Sequence, residues 1–230
     1  VGEPRIAFCT TCKGRTEHLS KTLPKNLADN ASYKNAVFVV LNYGDKDGLG
    51  DYIRSTHQAA LKSGRLVYYN YLTESAFHVA HAKNMAMRLG MLERADILVT
   101  LDADNFAGPD FASFVADGLR EPGIFPGVFM CPDFALIQSM PHGAARPPRG
   151  FAGRLAVWAS TFLKVGGYDE VFDTWRGEDI DMNFRLQRMG YTMRFVENRF
   201  LNAINHNAEM RFKEYPHAQV YERKGEVEII

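Results

Sequence analysis

Four strand-sized apolar runs, each followed by a stretch with helical spacing, restrict this chain more than any other feature. They are RIAFCT at 5–10, AVFVVL at 36–41, RLVYYNYL at 65–72 and DILVTL at 96–101. Leu19, Leu23 and Leu27 follow the first run on one helical face. The second passes through the turn-rich NYGDKDGLG into a helical stretch over 49–63 that ends at Gly64. The third leads into a long helix over 78–95, with Met85, Leu89 and Leu92 spaced for its buried face. This alternation predicts an α/β fold with a doubly wound, mostly parallel sheet, whose functional loops gather at the carboxyl ends of the strands. Segments 10–15, 42–47 and 102–104 should therefore meet.

Beyond Asp104, Pro109 is placed to open a helix through Leu119, and 128–137 reads as another strand. The segment QSMPHGAARPPRGFAG at 138–153 carries three prolines and three glycines, which predicts a long loop acting as a lid or binding segment. LAVWAS, the turn VGGYDE, a helix from near Glu178 to before Gly190, and YTMRFVE complete the core, to which Trp158, Met182 and Phe184 are assigned. One domain over 1–207 is expected, with a donor-binding half to about residue 105 and an acceptor-binding half after it, then a polar tail over 208–230.

Lys plus Arg and Asp plus Glu both number 27, and no basic run occurs, which argues against a nucleic-acid partner. The apolar runs fall short of the ~20 residues that span a bilayer, and no signal peptide is visible; a cytoplasmic, at most membrane-peripheral, location is expected. Cysteines at 9, 12 and 131 are too few for a disulfide framework. Cys9 and Cys12 form a C-x-x-C, but no second pair completes a zinc site.

Chemistry concentrates at two acidic clusters. In LDADN, Asp102 and Asp104 follow an apolar strand, and in extended geometry both side chains point to one side. Paired carboxylates repel unless neutralised, and a hard divalent cation neutralises them while keeping positions open for phosphate oxygens. The plainer reading is one acid capping a turn and the other solvated. The second cluster is TWRGEDIDMNFRL at 174–186, where Glu178, Asp179 and Asp181 fall in a first helical turn that favours anions. That would keep Asp179 deprotonated and able to accept a proton. Alternatively the acids only complement the helix dipole, with Asp181 paired to Arg185 four residues on.

The D-x-D resembles the signature of nucleotide-sugar glycosyltransferases with the GT-A fold. WRGEDIDMNFRL is similar to the W-G-G-E-D-D-D-x-x-x-R-L segment of inverting β-1,4-galactosyltransferases and to the E-D motif of bacterial family 2 glycosyltransferases; Arg176 and Ile180 depart from the animal pattern. FAGRLAVWASTFLKVGGYDE resembles the glycine-rich strand and G-G-[FY]-D-E turn of these families, and AFHVAHAKNMA their F-x-x-A-x-x-x-N helix start. NAINHN puts His206 where they commonly carry a third metal ligand.

The resemblance implies a single GT-A domain and a metal-dependent inverting transfer from a UDP-sugar to a hydroxyl of a glycan or small acceptor, in a setting such as polysaccharide biosynthesis. Asp104, His206 and Asp102 would hold Mn²⁺ or Mg²⁺ on the donor diphosphate, with Asp179 as base. Glu178, Gly177 and Trp175 would form the acceptor side, Trp175 being either sugar platform or core. Thr10, Thr11 and Arg15, in the loop after the first strand, would contact the donor. Asn42 stands near where family 2 chains usually carry an acid for the uracil N3–H, and its amide carbonyl can also accept. Lys83 would face the diphosphate or simply be exposed. The rivals are a retaining N-acetylgalactosaminyltransferase-like enzyme, a nucleotide-sugar-binding module without catalysis, and a nucleotidyltransferase.

Overall fold

The computed structural model describes residues 2–44, 46–73, 75–124, 126–133, 153–172 and 177–204. Their strands are β1 (Ile6–Cys12), β2 (Ala36–Tyr43), β3 (Leu66–Tyr71), β4 (Ile97–Thr100), β5 (Val128–Cys131), β6 (Ala156–Trp158) and β7 (Thr192–Phe195). The helices are α1 (Thr16–Asp29), α2 (Leu49–Thr56), α3 (Gln58–Lys62), α4 (Val79–Leu92), α5 (Phe111–Leu119), α6 (Ala159–Val165) and α7 (Glu178–Arg188). One seven-stranded sheet has the order β3-β2-β1-β4-β6-β5-β7. Strands β1 to β4 pair in parallel, as the alternation predicts, while β6 runs antiparallel between β4 and β5.

Period-2 alternation sends side chains to two cores. Ile6, Phe8, Phe38, Val40 and Val99 face α1, α2 and α5, with Phe8 and Phe38 stacked at 4.7 Å. Ala7, Cys9, Val37, Val39 and Leu98 face α4 and, further along, α6 and α7. Cys9 and Cys12, three apart on β1, thus fall in opposite cores, and both are buried free thiols. Among the described residues the C-x-x-C is packing.

Four expectations change. β1 extends to Cys12, so Thr10 and Thr11 lie in the strand and not in the loop after it. The helix expected over 49–63 breaks at His57, whose φ of −115° is not helical and whose ring Nε2 meets Tyr52 OH at 3.0 Å. The buried face of α4 is centred on Ala82, Ala86 and Gly90; Met85 and Leu89 pack against the core at its edge, partly buried, and Leu92 is 72% exposed. A Cβ on Gly90 would sit 2.8 Å from Cys9 Sγ and 2.9 Å from Ala7 Cβ, so small residues are what let this helix lie on β1. Phe184, assigned to the core, is 57% exposed, whereas Met182 is fully buried and Trp158 partly so.

Candidate active site

Strand β4 stops at Thr100, and pairing continues only to Leu101, whose N–H bonds Cys9 O at 3.0 Å. The chain then turns, with Asn105 N donating to Asp102 O at 2.9 Å. Asp102 and Asp104 therefore project from a turn and not from the extended run expected. A polar stripe on α1 holds this turn from behind. Thr22 Oγ1 donates to Ala103 O (2.7 Å), Asn26 Nδ2 to Asn105 O (2.9 Å), Asn26 Oδ1 accepts from Ala107 N (2.7 Å), and Asn30 Oδ1 accepts from Ala112 N (2.8 Å). Each bond satisfies a buried backbone group that an irregular segment would otherwise leave orphaned. Reading α1 by its leucines missed this stripe; its signal is Thr22, Asn26 and Asn30 recurring every four residues.

Two residues after the 138–152 segment complete the turn's surroundings. Gly153 lies against Asp102, where a Cβ would come within 2.2 Å of Oδ2, and its carbonyl accepts from Asn105 Nδ2 at 3.3 Å. Arg154 is fully buried and donates through Nη2 to Phe106 O at 3.2 Å and to Asn202 O. Burial lowers its pKa to about 10, opposed by the charges of Asp102 and Asp104. The same turn is tied to the end of the described chain by Ile204 N, which donates to Asp104 O at 2.8 Å.

Opposite the turn, α7 begins at Gly177, whose φ of +100° and close approach to the Phe172 ring both favour glycine. Its first two side chains converge on α4. Lys83 Nζ donates to Glu178 Oε1 at 2.8 Å and to Asp179 Oδ1 at 2.7 Å, and the Lys83 side chain is only 4% exposed. The alternative of a simply exposed Lys83 is thereby corrected: α4 packs too closely on the sheet to leave this position in solvent. Asn84, one residue on, receives Tyr168 N on Oδ1 at 2.8 Å and donates to Tyr168 O and Glu170 Oε1, both at 2.9 Å. The VGGYDE turn is thus pinned to α4. Arg185 donates to Asp181 Oδ2 at 2.7 Å and to the carbonyls of Val165 and Gly167, so Asp181 is structural, as the four-residue spacing predicts.

The electrostatics also depart from expectation. A helix N-terminus by itself predicts that Asp179 is a strong anion. Instead burial raises its pKa to about 7; Lys83 opposes this, while Glu178 and Asp102 add to it. Burial likewise raises Asp102, against Lys83 and with Asp104 and Glu178. Burial pushes the Lys83 ammonium down, but Asp179 and Glu178 outweigh it and hold it well above its usual value. Desolvation of a carboxylate side chain that is 13% exposed exceeds what one helix terminus supplies.

The residues expected to contact the donor lie toward the carboxyl ends of β1 and β2, and the three predicted segments do meet. Arg15 Nη1 reaches Asp104 Oδ2 at 3.4 Å, and Asp47 accepts from Thr16 N at 2.9 Å. Asn42 is buried, pairs in register with Cys12, and donates to Tyr68 OH at 3.1 Å. Thr10 is buried within β1 and Thr11 half-buried beside it. Trp175, His206 and the 138–152 part of the expected loop lie outside the described residues.

Among the described residues no group of three His, Cys, Asp or Glu side chains forms a ready metal site. The donor set nonetheless fits a hard divalent ion: two carboxylates flanking Ala103 share the turn, Asp104 is buried, and desolvation, with the charges of Asp104 and Glu178, disfavours the charged form of Asp102 against the pull of Lys83. A cation beside it relieves that cost.

The family model described as the N-terminal domain of galactosyltransferase matches residues 134–209. A mannosyltransferase from Pyrobaculum calidifontis, solved in complex with GDP-Man and Mn²⁺, superposes with a TM-score of 0.65 over 86% of this chain and 56% of its own, at 18% identity. GalNAc-T7, solved with UDP, GalNAc and Mn²⁺, gives 0.62 over 85% of this chain and 43% of its own, at 14% identity. The fold is GT-A. Curated relatives of this GT-A chain are glycosyltransferases too. A validoxylamine A glucosyltransferase of Streptomyces hygroscopicus subsp. jinggangensis is 23% identical over 83% of the chain. A probable N-acetylgalactosaminyltransferase 9 of Caenorhabditis elegans is 36% identical over 59 residues, 26% of the chain. The chain spans 53% of the Streptomyces enzyme and 10% of the C. elegans protein. No helix among the described residues is long and apolar enough to cross a membrane.

Proposed function

We propose that this GT-A chain is a metal-dependent, inverting glycosyltransferase that moves a hexosyl group from a UDP-sugar to an acceptor hydroxyl. The observation that carries the reading is the carboxylate of Asp179, held at the start of α7 by Lys83 Nζ at 2.7 Å, with burial, and then the charges of Glu178 and Asp102, raising its pKa to about 7. A base poised near neutrality matches the proton transfer that glycosyl transfer needs.

In this reading Asp104 and Asp102, with His206, would hold Mn²⁺ or Mg²⁺, which would neutralise the donor diphosphate and its developing charge. Asn42 and the β1 end, with Thr10, Thr11 and Arg15, receive the uridine and ribose side. Asp179 takes the proton from the acceptor hydroxyl as its oxygen bonds the anomeric carbon from the face opposite the departing UDP. Glu178, Gly177 and Trp175 line the acceptor side. Residues to about 105 supply the donor half of the cleft and those to 207 the acceptor half. The Mn²⁺ complexes of both structural neighbours, and the UDP in one of them, support the metal and donor assignments.

The test is Asp179→Asn. Donor binding with Mn²⁺, read by thermal shift, should persist, while UDP release and transfer fall about 10²- to 10⁴-fold. Near-normal turnover would remove Asp179 as base, and a product that keeps the donor's anomeric configuration would refute inversion.

A further inference from the structure

Three acidic side chains, Asp102, Glu178 and Asp179, act on one another electrostatically inside the site, and only short charge-assisted bonds make such a cluster tolerable. Two of those bonds come from one group 95 residues back in the chain. Lys83 Nζ meets Glu178 Oε1 at 2.8 Å and Asp179 Oδ1 at 2.7 Å, with the ring centroid of Tyr168 5.3 Å away. Tyr168 is buried, and its backbone is pinned to Asn84, the residue next to Lys83. The ammonium is therefore held between α4, the start of α7 and the turn after α6.

A lysine that binds a diphosphate needs its donors directed at solvent or ligand. Here two N–H groups are already used and the side chain is 4% exposed, so reaching a phosphate would break both ion pairs and strand two buried carboxylates. We infer that Lys83 is a positioning residue for the base: it engages Asp179 Oδ1, leaving Oδ2 as the oxygen that takes the acceptor proton, and it ties Glu178 to the same ammonium. This rests on the proposed transferase reading and assigns Lys83 to the base and not to the donor. The charged and titratable groups facing Asp179 are Lys83 from α4, Glu178 from α7 itself, Asp102 from the turn after β4, Tyr168 from the turn after α6 and the Cys131 thiol at the end of β5, which burial and the neighbouring acids keep protonated. Without the Lys83 charge, repulsion and desolvation lose their main counterweight, so the base would be protonated to higher pH.

The experiment compares wild type, Lys83→Met and Lys83→Arg in the full chain, with folding checked by circular dichroism and thermal melting. Three quantities are read: saturating turnover against pH, KM and Kd for the UDP-sugar with Mn²⁺, and the Asp179 carboxyl titration followed by carbon-13 NMR. Lys83→Met should lower kcat about 100-fold at pH 7, move the acid limb and the Asp179 titration upward by at least about one pH unit, and leave donor Kd within about twofold. Lys83→Arg should keep the acid limb near that of wild type, since it restores the charge. Should Lys83→Met not fold, Lys83→Met/Glu178→Gln restores the charge count and must show the same upward shift relative to Glu178→Gln alone. Donor Kd raised tenfold or more with kcat and the Asp179 titration unchanged would overturn the inference and make Lys83 a diphosphate contact. The NMR arm separates the two readings: an upward shift in a protein that transfers no sugar from any UDP-sugar sinks the transferase proposal and keeps the Lys83–Asp179 coupling.

Discussion

Gly153→Ala is a substitution that should spare the fold and disable the site. The added Cβ would lie 2.2 Å from Asp102 Oδ2, 2.3 Å from Cγ and 2.6 Å from Oδ1, against the roughly 3.5 Å that non-bonded heavy atoms prefer. Gly153 has no left-handed backbone conformation to lose, so the effect comes from this contact. The carboxylate must retreat by about 1 Å or change rotamer. An aspartate side chain does that for about 0.5–1.5 kcal/mol, which in a chain of this size lowers Tm by only a few degrees. Metal coordination tolerates only about 0.2 Å, so the same retreat takes Asp102 out of reach of an ion held by Asp104. Losing a well-placed ligand should weaken Mn²⁺ binding, measured by electron paramagnetic resonance with UDP present, by at least about 10- to 100-fold. Turnover should fall with it and recover partly at high Mn²⁺. Mn²⁺ affinity and turnover within twofold of wild type, in a protein shown to contain alanine at 153, would refute the placement of Asp102 as a ligand. A Tm drop of more than about 10 °C would show instead that Asp102 is held too rigidly to yield.

Four other outcomes follow from groups already described. Because burial raises Asp179 to about 7, turnover should decline as pH falls through about 7, and metal saturation should move that limb to lower pH by adding positive charge. For stability the sign is opposite: between about pH 4 and 7 the folded protein keeps a proton on Asp179 that the unfolded chain has released, so this group's contribution shrinks as pH rises through that window, which denaturant titrations across it would detect. Arg154→Met removes the donor to the carbonyls of Phe106 and Asn202 and should cost about 2–4 kcal/mol by urea unfolding; a loss under 0.5 kcal/mol would mean water replaces the guanidinium. Cys9 and Cys12, buried on opposite faces of the sheet, should react with a thiol reagent only on unfolding and bind no zinc; fast labelling of the folded protein would contradict their placement.

Local rules made much of this molecule legible in its sequence. Apolar runs separated by helical spacing specify β1 to β4 and their parallel pairing, because burial on both faces and right-handed crossovers leave few other arrangements. The Asp181–Arg185 pair is readable because four residues make one helical turn. Tertiary packing decided the rest. Leucine spacing found only the edge of the buried face of α4, Met85 and Leu89, since the sheet selects for close approach through Ala82, Ala86 and Gly90 rather than for size. Asp102 and Asp104 meet through a turn clamped by Thr22 and Asn26, residues about 80 positions away, which no local periodicity reports. The chain by itself determined that acids stand where strands end and a helix begins. Whether the Asp179 carboxyl sits there as a strong anion or with its pKa raised toward neutrality depended on burial and on an ammonium 96 residues away, and desolvation and long-range charge belong to the folded state alone.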